Sequence, residues 1–235
     1  MKPLVAVISG LDWEAETFRK RTGPTFPGRI TAAGVGPSAA EQVALRAIAD
    51  GARLLVSWGS AAGLGDSCPG DLVIATEVRG ARGEEIYSEQ LVMKQFKKWS
   101  EDDPRVFRGP LAGVDRPVLS VRAKQRLAQA SGARAADMES HAIARVAQAH
   151  RLPMLAVRVV LDGPCQSVPG LAMAAVDGSR SRILPVIAGL LRTPGELPDL
   201  VRLGAAAARA RARLSGFAGQ LAPVLQRWAL ETAHG

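Results

Sequence analysis

Short apolar runs alternate along this chain with longer stretches in which apolar residues recur every three or four positions. Residues 4–8, 29–33, 54–58, 72–78 and 154–160 are rich in Val, Leu, Ile and Ala and are bounded by turn residues. That is the pattern of strands covered on both faces. Helices are predicted over 10–16, 38–50, 122–130 and 138–150. Ser38-Ala39-Ala40-Glu41 has the spacing of a capping box, in which hydroxyl and carboxylate satisfy free backbone N–H groups. Pro153 stops the last of these helices. From residue 197 onward Leu200, Leu203, Ala207, Ala210, Leu214, Phe217, Leu221, Val224 and Trp228 mark one face of an amphipathic helix. Gly216, Gly219 and Pro223 are expected to break it into two pieces. Residues 79–117 are charged, hold the only tyrosine, Tyr87, and read as an irregular insert or flap that would serve as a lid.

Alternating strand-like and helix-like runs over 235 residues point to one α/β domain. With aromatics at 4%, its core must be built from aliphatic residues and alanine. Cys68 and Cys165 are isolated in sequence, so neither a disulfide framework nor a zinc site is expected, and both suit a reducing compartment. No secretory signal and no run of the roughly 20 apolar residues that a spanning helix needs can be read. The expected location is the cytoplasm, or the periphery of the inner membrane face. A net charge of +8 attracts phosphates, anionic lipid or nucleic acid without discriminating among them. No zinc finger, helix-turn-helix or aromatic–basic sheet pattern supports nucleic acid as the partner.

Two glycine-rich segments follow predicted strands. Gly34-Val35-Gly36-Pro37-Ser38-Ala39 fits a loose dinucleotide fingerprint, but the next strand, 54–58, ends without the acid that would hold a ribose. A tight strand-to-helix turn accounts for it. Gly59-Ser60-Ala61-Ala62-Gly63 lies at the carboxyl edge where open α/β sheets bind ligands, and its Ser60 can serve a phosphate or a ribose, or simply a turn. Two carboxylates stand at neighbouring element ends. Glu139, in a helical first turn after the N-cap candidate Asp137, has an ordinary role beside the helix dipole. Asp162 ends an apolar strand before Gly163-Pro164, and either serves a site or caps the turn. Arg158, a lone charge in that strand, pairs with Asp162 or with another buried acid.

The segments Ile8-Ser9-Gly10-Leu11 with Glu14, Ala33-Gly34-Val35-Gly36, Val56 to Leu64 followed by Pro69-Gly70-Asp71, and Asp137-Met138-Glu139 followed by Arg158 to Asp162 resemble the nucleoside phosphorylase/nucleosidase superfamily in order and spacing. Ala136-Asp137-Met138-Glu139-Ser140-His141 and the tail over 191–204 look like the hopanoid-associated phosphorylase subgroup. The resemblance implies a single α/β domain over 1–195, with a central mixed, largely parallel β-sheet flanked by helices. A C-terminal helical extension over 196–235 would pack on it. It implies release of adenine from adenosylhopane, giving phosphoribosylhopane if phosphate attacks or ribosylhopane if water does. It needs no cofactor beyond phosphate as a possible co-substrate, and it implies a homo-oligomer, dimer or larger.

The resemblance also assigns roles. Asp162 matches the acid at purine N7, Glu139 the residue that holds the ribose hydroxyls, and Met138 the residue beneath the sugar. Ser60 and Gly59 match the loop facing phosphate or ribose. Glu14 is the nearest counterpart of the acid that activates water, four residues after Gly10 where the family has five, and Glu16 lies six after. Asp137, Gly34 and Arg158 complete the candidate substrate-binding set. The arginine that phosphorylases carry before Gly-Ser is replaced by Ser57-Trp58, which leaves Arg19, Arg79 and Arg82 as candidate phosphate cations. Two other readings stay open: a methylthioadenosine or adenosylhomocysteine nucleosidase, and a non-catalytic nucleoside- or lipid-binding module. Between Gly178 and Arg213 stand seven Arg, no Lys and two acids. That stretch would suit an anionic membrane surface, or an amphipathic helix packed on the domain with its arginines solvated.

Overall fold

The computed structural model describes residues 4–80, 85–87, 99, 101–168, 176–177, 180–181 and 197–233. The elements, in chain order, are β1 (Val5–Ser9), α1 (Asp12–Arg19), β2 (Gly28–Ala32), α2 (Pro37–Ala49), β3 (Leu54–Gly63), β4 (Leu72–Arg79), β5 (Glu85–Tyr87) and β6 (Val106–Gly113). They continue with α3 (Val121–Ser131), β7 (Ala135–Asp137), α4 (Ser140–Ala149), β8 (Met154–Asp162), the short pair β9 (Val176–Asp177) and β10 (Arg180–Ser181), and α5 (Leu197–Ala233).

One mixed, largely parallel sheet organises the fold. β2, β1 and β3 pair in parallel, and β3 pairs in parallel with β8 along its other edge. β8 runs antiparallel to β4, β4 parallel to β6, and β6 parallel to β7. β7 then returns antiparallel to Ala62 and Gly63 at the far end of β3. Five strands therefore close a ring. This is possible because β3 outruns β1: its first half pairs with β1, and its last residues turn to β7. Small residues from Gly59 to Gly63 fill that last stretch of β3.

The alternation of β1 divides the core. Val5 and Val7 face a layer made with Phe18, Trp58, Leu214, Phe217 and Leu221, so α1 and α5 cover one side. Ala6 and Ile8 face Ala44, Ile143 and Val146, so α2 and α4 cover the other. Trp58 anchors the first layer. It meets Phe18 edge-on at 5.0 Å between ring centroids, stacks on Phe217 at 6.3 Å, and donates its indole N–H to Thr17 Oγ1 at 3.0 Å. Among the described residues, no helix is long and apolar enough to cross a membrane.

Several elements differ from the sequence expectation. α5 is one helix of 37 residues, unbroken at Gly216, Gly219 or Pro223. Pro223 lies on the exposed side, where water can reach the carbonyl whose hydrogen bond the ring removes. The buried face through Leu214, Phe217, Ala218, Leu221 and Leu225 carries the helix across it. α2 begins at Pro37 with Gly36 as its N-cap at φ 106°, and neither Ser38 nor Glu41 caps it. Pro takes the first helical position, and the Gly36 N–H is used elsewhere. β3 runs through the segment expected to be a loop, so Ser60 stands in a strand. α4 starts at Ser140 rather than 138, because Asp137 still belongs to β7 and Glu139 is the N-cap. Within 79–117, β6 is a buried ring strand rather than part of an irregular insert, and Tyr87 lies in β5. Residues 94–98 of the run up to Trp99 lie outside the described residues, as do 191–196 of the tail.

Candidate active site

At the carboxyl ends of β1, β3, β7 and β8 a cavity of about 220 Å³ opens. Glu14, Ser60, Asp137, Met138, Glu139 and Asp162 all line it. Gly59, Gly34 and Arg158 lie behind this wall rather than in it.

Glu14 reaches the cavity from the first turn of α1. Its Oε1 accepts from the Ser60 N–H at 2.8 Å and the Ser60 hydroxyl at 2.6 Å, and its Oε2 accepts from the Leu11 N–H at 3.0 Å. Both donors of Ser60 are thus spent on a carboxylate. Gly59 makes this approach possible: a Cβ there would lie 2.7 Å from Glu14 Oε2 and 2.9 Å from Cδ. Burial pushes the Glu14 carboxyl up, against the pull of Ser60 and Arg158.

Glu139 lies at the start of α4, where Oε1 accepts from the Gly36 N–H at 2.8 Å. Only a left-handed Gly36 presents its N–H this way while starting α2. Burial, then the nearby Asp137 charge, push the Glu139 carboxyl up to about 7. Asp137 caps α4 from β7, accepting from the N–H groups of Glu139 and Ser140 at 3.2 and 2.9 Å.

Arg158 is the buried cation behind these acids. It donates to Asp137 Oδ2 at 2.9 and 2.5 Å, to Ser57 Oγ at 2.6 Å, and to the Val157 carbonyl at 3.0 Å. Burial opposes its charge, but Asp137, Glu139 and Glu14 outweigh that and hold it above the ordinary arginine value. Its partner is therefore Asp137, not Asp162.

Asp162 lines the same cavity where β8 finishes. Its carboxylate meets the ammonium of Lys124. Burial pushes the Asp162 carboxyl up while Lys124 pulls it down. Sequence reasoning missed Lys124, although a signal existed: it is the only lysine after residue 98, and it sits on the face of α3 that also carries Leu127 and Ala128. Sequence reasoning did not identify which residues form the apolar walls, among them Leu11, Val35, Val118, Val168 and Leu203. They come from loops and from α5, where no local pattern distinguishes a cavity wall from core. Of the candidate phosphate cations, Arg19 pairs with Glu16 on the surface and Arg79 with Glu77 and Glu85; neither lines the cavity. Arg82 lies outside the described residues. Among the described residues, no cluster of His, Cys, Asp and Glu could hold a metal ion.

The arrangement offers three acids with raised proton affinity, one of them paired with a lysine, around one mostly apolar cavity. Comparisons with known proteins agree with the fold. The structure resembles a Francisella philomiragia protein described as a candidate 5′-methylthioadenosine/S-adenosylhomocysteine nucleosidase, with TM-score 0.70 and 17% identity over 94% of this chain and 98% of that one. It also resembles the Neisseria meningitidis nucleosidase of that name in complex with methylthio-immucillin-A, with TM-score 0.65 and 19% identity over 92% and 98%. Futalosine hydrolase of Helicobacter pylori matches with TM-score 0.62 and 18% identity over 69% and 85%. No curated protein matches the sequence significantly. The sequence does match the phosphorylase superfamily over residues 18–192, more than half of its length. The chain belongs to the phosphorylase superfamily.

Proposed function

We propose that the protein releases adenine from a 5′-substituted adenosine by cleaving the N-glycosidic bond. The observation that carries this reading is the placement of Glu14, Glu139 and Asp162, from α1, the start of α4 and the end of β8, around one cavity. Cleavage builds positive charge on the ribose and negative charge on the purine. Asp162 protonates N7 at the base end. Glu139 holds the ribose hydroxyls and, when ionised, stabilises the cationic sugar.

Water is the nucleophile that the geometry favours. Ser60, the candidate phosphate donor, gives both its N–H and O–H to Glu14. Among the described residues, no Arg or Lys lines the cavity. A buried Glu14 with raised proton affinity is suited to take a proton from water near neutral pH.

The 5′ substituent is proposed to be apolar, because the cavity walls are apolar, with Leu203 of α5 among them. Adenosylhopane is the substrate that the sequence resemblance favours, and methylthioadenosine is the second reading, favoured by the structural likeness to nucleosidases. The experiment is adenine release from each substrate, the former in detergent, with and without phosphate. Phosphate-independent release from adenosylhopane supports the full proposal. Strict phosphate dependence overturns the assignment of water, and release from methylthioadenosine alone overturns the lipid substrate. Asp162→Asn should lower the rate about 10²–10⁴-fold; no release by the wild type from either substrate favours a binding module.

A further inference from the structure

Lys124 has no part in the cleavage proposed above, yet its surroundings are those of a built site. It is fully buried on α3. Its ammonium donates to Asp162 Oδ2, to the Gly163 carbonyl at 2.8 Å and to the Gln166 carbonyl at 2.7 Å. An ammonium has three donors, and all three are used. The turn it grips is closed a second time, since the Gly163 N–H donates to Gln166 Oε1 at 2.7 Å. A buried charge is costly unless paired and fully hydrogen-bonded. An apolar residue on this helix face would pack against the core without that cost.

We propose that Lys124 is a positioning residue for Asp162. Its ammonium fixes one carboxyl oxygen and the turn after β8, and it stabilises the carboxylate that forms when the other oxygen gives its proton to purine N7. This rests on the glycosidic cleavage proposed above. In that step the C1′–N9 bond breaks and its electron pair goes to the purine. N7 gains the Asp162 proton, water adds to C1′, and the water proton goes to Glu14. The Asp162 carboxylate left behind lies against Lys124, and exchange with solvent restores both acids.

Of the other charges near the cavity, none is hydrogen-bonded to Asp162 among the described residues. Glu14, Asp137, Glu139 and Arg158 act on one another. Arg202, Arg209 and Cys165 share with Asp162 the wall of an adjoining cleft. Burial and Lys124 pull the Asp162 carboxyl in opposite directions. Without Lys124, burial acts unopposed, and the acid holds its proton more tightly and yields it less readily.

The test is the pH dependence of adenine release by K124Q and K124M, using whichever substrate the wild type cleaves. The alkaline limb of kcat/KM should move to higher pH by at least one unit, with kcat down tenfold or more and KM little changed. Profiles that superimpose on the wild type after scaling overturn the proposal. If neither variant folds, NMR of the lysine side chains in the wild type and D162N decides. Loss of the carboxylate should speed exchange of the Lys124 ammonium protons with water at least tenfold, and an unchanged exchange rate overturns the pairing. A wild type that releases no adenine sinks the cleavage reading alone, because the NMR comparison does not depend on turnover.

Discussion

Replacing Gly59 by alanine tests how the site is built without removing any of its acids. The added Cβ would stand 2.7 Å from Glu14 Oε2, 2.9 Å from Cδ and 3.0 Å from Oε1. Ordinary contact begins at 3.4 Å, so the carboxylate must retreat by about 0.7 Å, the difference between 3.4 and 2.7 Å. It cannot do so freely, because Ser60 and Leu11 hold it with three hydrogen bonds. Overpacking of this kind costs about 1–3 kcal/mol. At roughly 2–4 °C per kcal/mol for a chain of this size, the melting temperature should fall by several degrees. Misplacing a reacting group by 1 Å costs about 10²-fold in rate, and a comparable loss of kcat is expected for adenine release. The control is the same substitution in an E14A background, where nothing remains to clash with and the penalty should vanish. Equal melting shifts in both backgrounds, or full activity of G59A, would refute the reasoning.

Other outcomes follow from the same geometry. R158M leaves Asp137 buried without its cation and should cost about 3–5 kcal/mol, read from the urea midpoint. Because the Glu139 carboxyl is pushed up to about 7, its ionised form grows with pH up to that value. Wild-type kcat/KM should rise at least about tenfold per pH unit below it, and E139Q should lose most of its activity and show a shallower acid limb, the remainder coming from Glu14. The same raised value makes the wild type lose stability as pH rises from 4.5 to about 7, because the folded chain keeps a proton that the unfolded chain has released; E139Q should show a shallower decline in thermal melts, since Glu14 and Asp162 are also raised. L221A, in the layer against β1 and β3, should cost about 2–5 kcal/mol in a denaturant titration, while kcat at low temperature stays unchanged.

The parallel strands were legible because burial on both faces writes them as continuous apolar runs, as in β1, β3 and β8. β7 was not, since three residues, Ala135–Asp137, carry no period. β6 was obscured by Arg108, Gly109 and Pro110 inside the strand. Gly219 and Pro223 misled for a different reason. Local propensity disfavours a helix there, and only the tertiary face of α5, invisible in the local sequence, overrides it. At the site, Glu139 and Asp162 stood out because acids end elements there. That Arg158 pairs with Asp137 rather than Asp162 depends on β7 meeting β3, a contact between residues far apart in the chain. Lys124 was the opposite case: a charge on an apolar helix face is a local anomaly, readable without any tertiary knowledge.

The long α5 has a consequence for synthesis. It supplies Leu214, Phe217 and Leu221 to the layer that holds Val5, Phe18 and Trp58, yet it is the last described element of the chain. At roughly 5–20 residues per second of elongation, the first strands wait many seconds on the ribosome with one apolar face uncovered. A nascent chain stopped before α5 is therefore expected to aggregate unless a chaperone covers that layer.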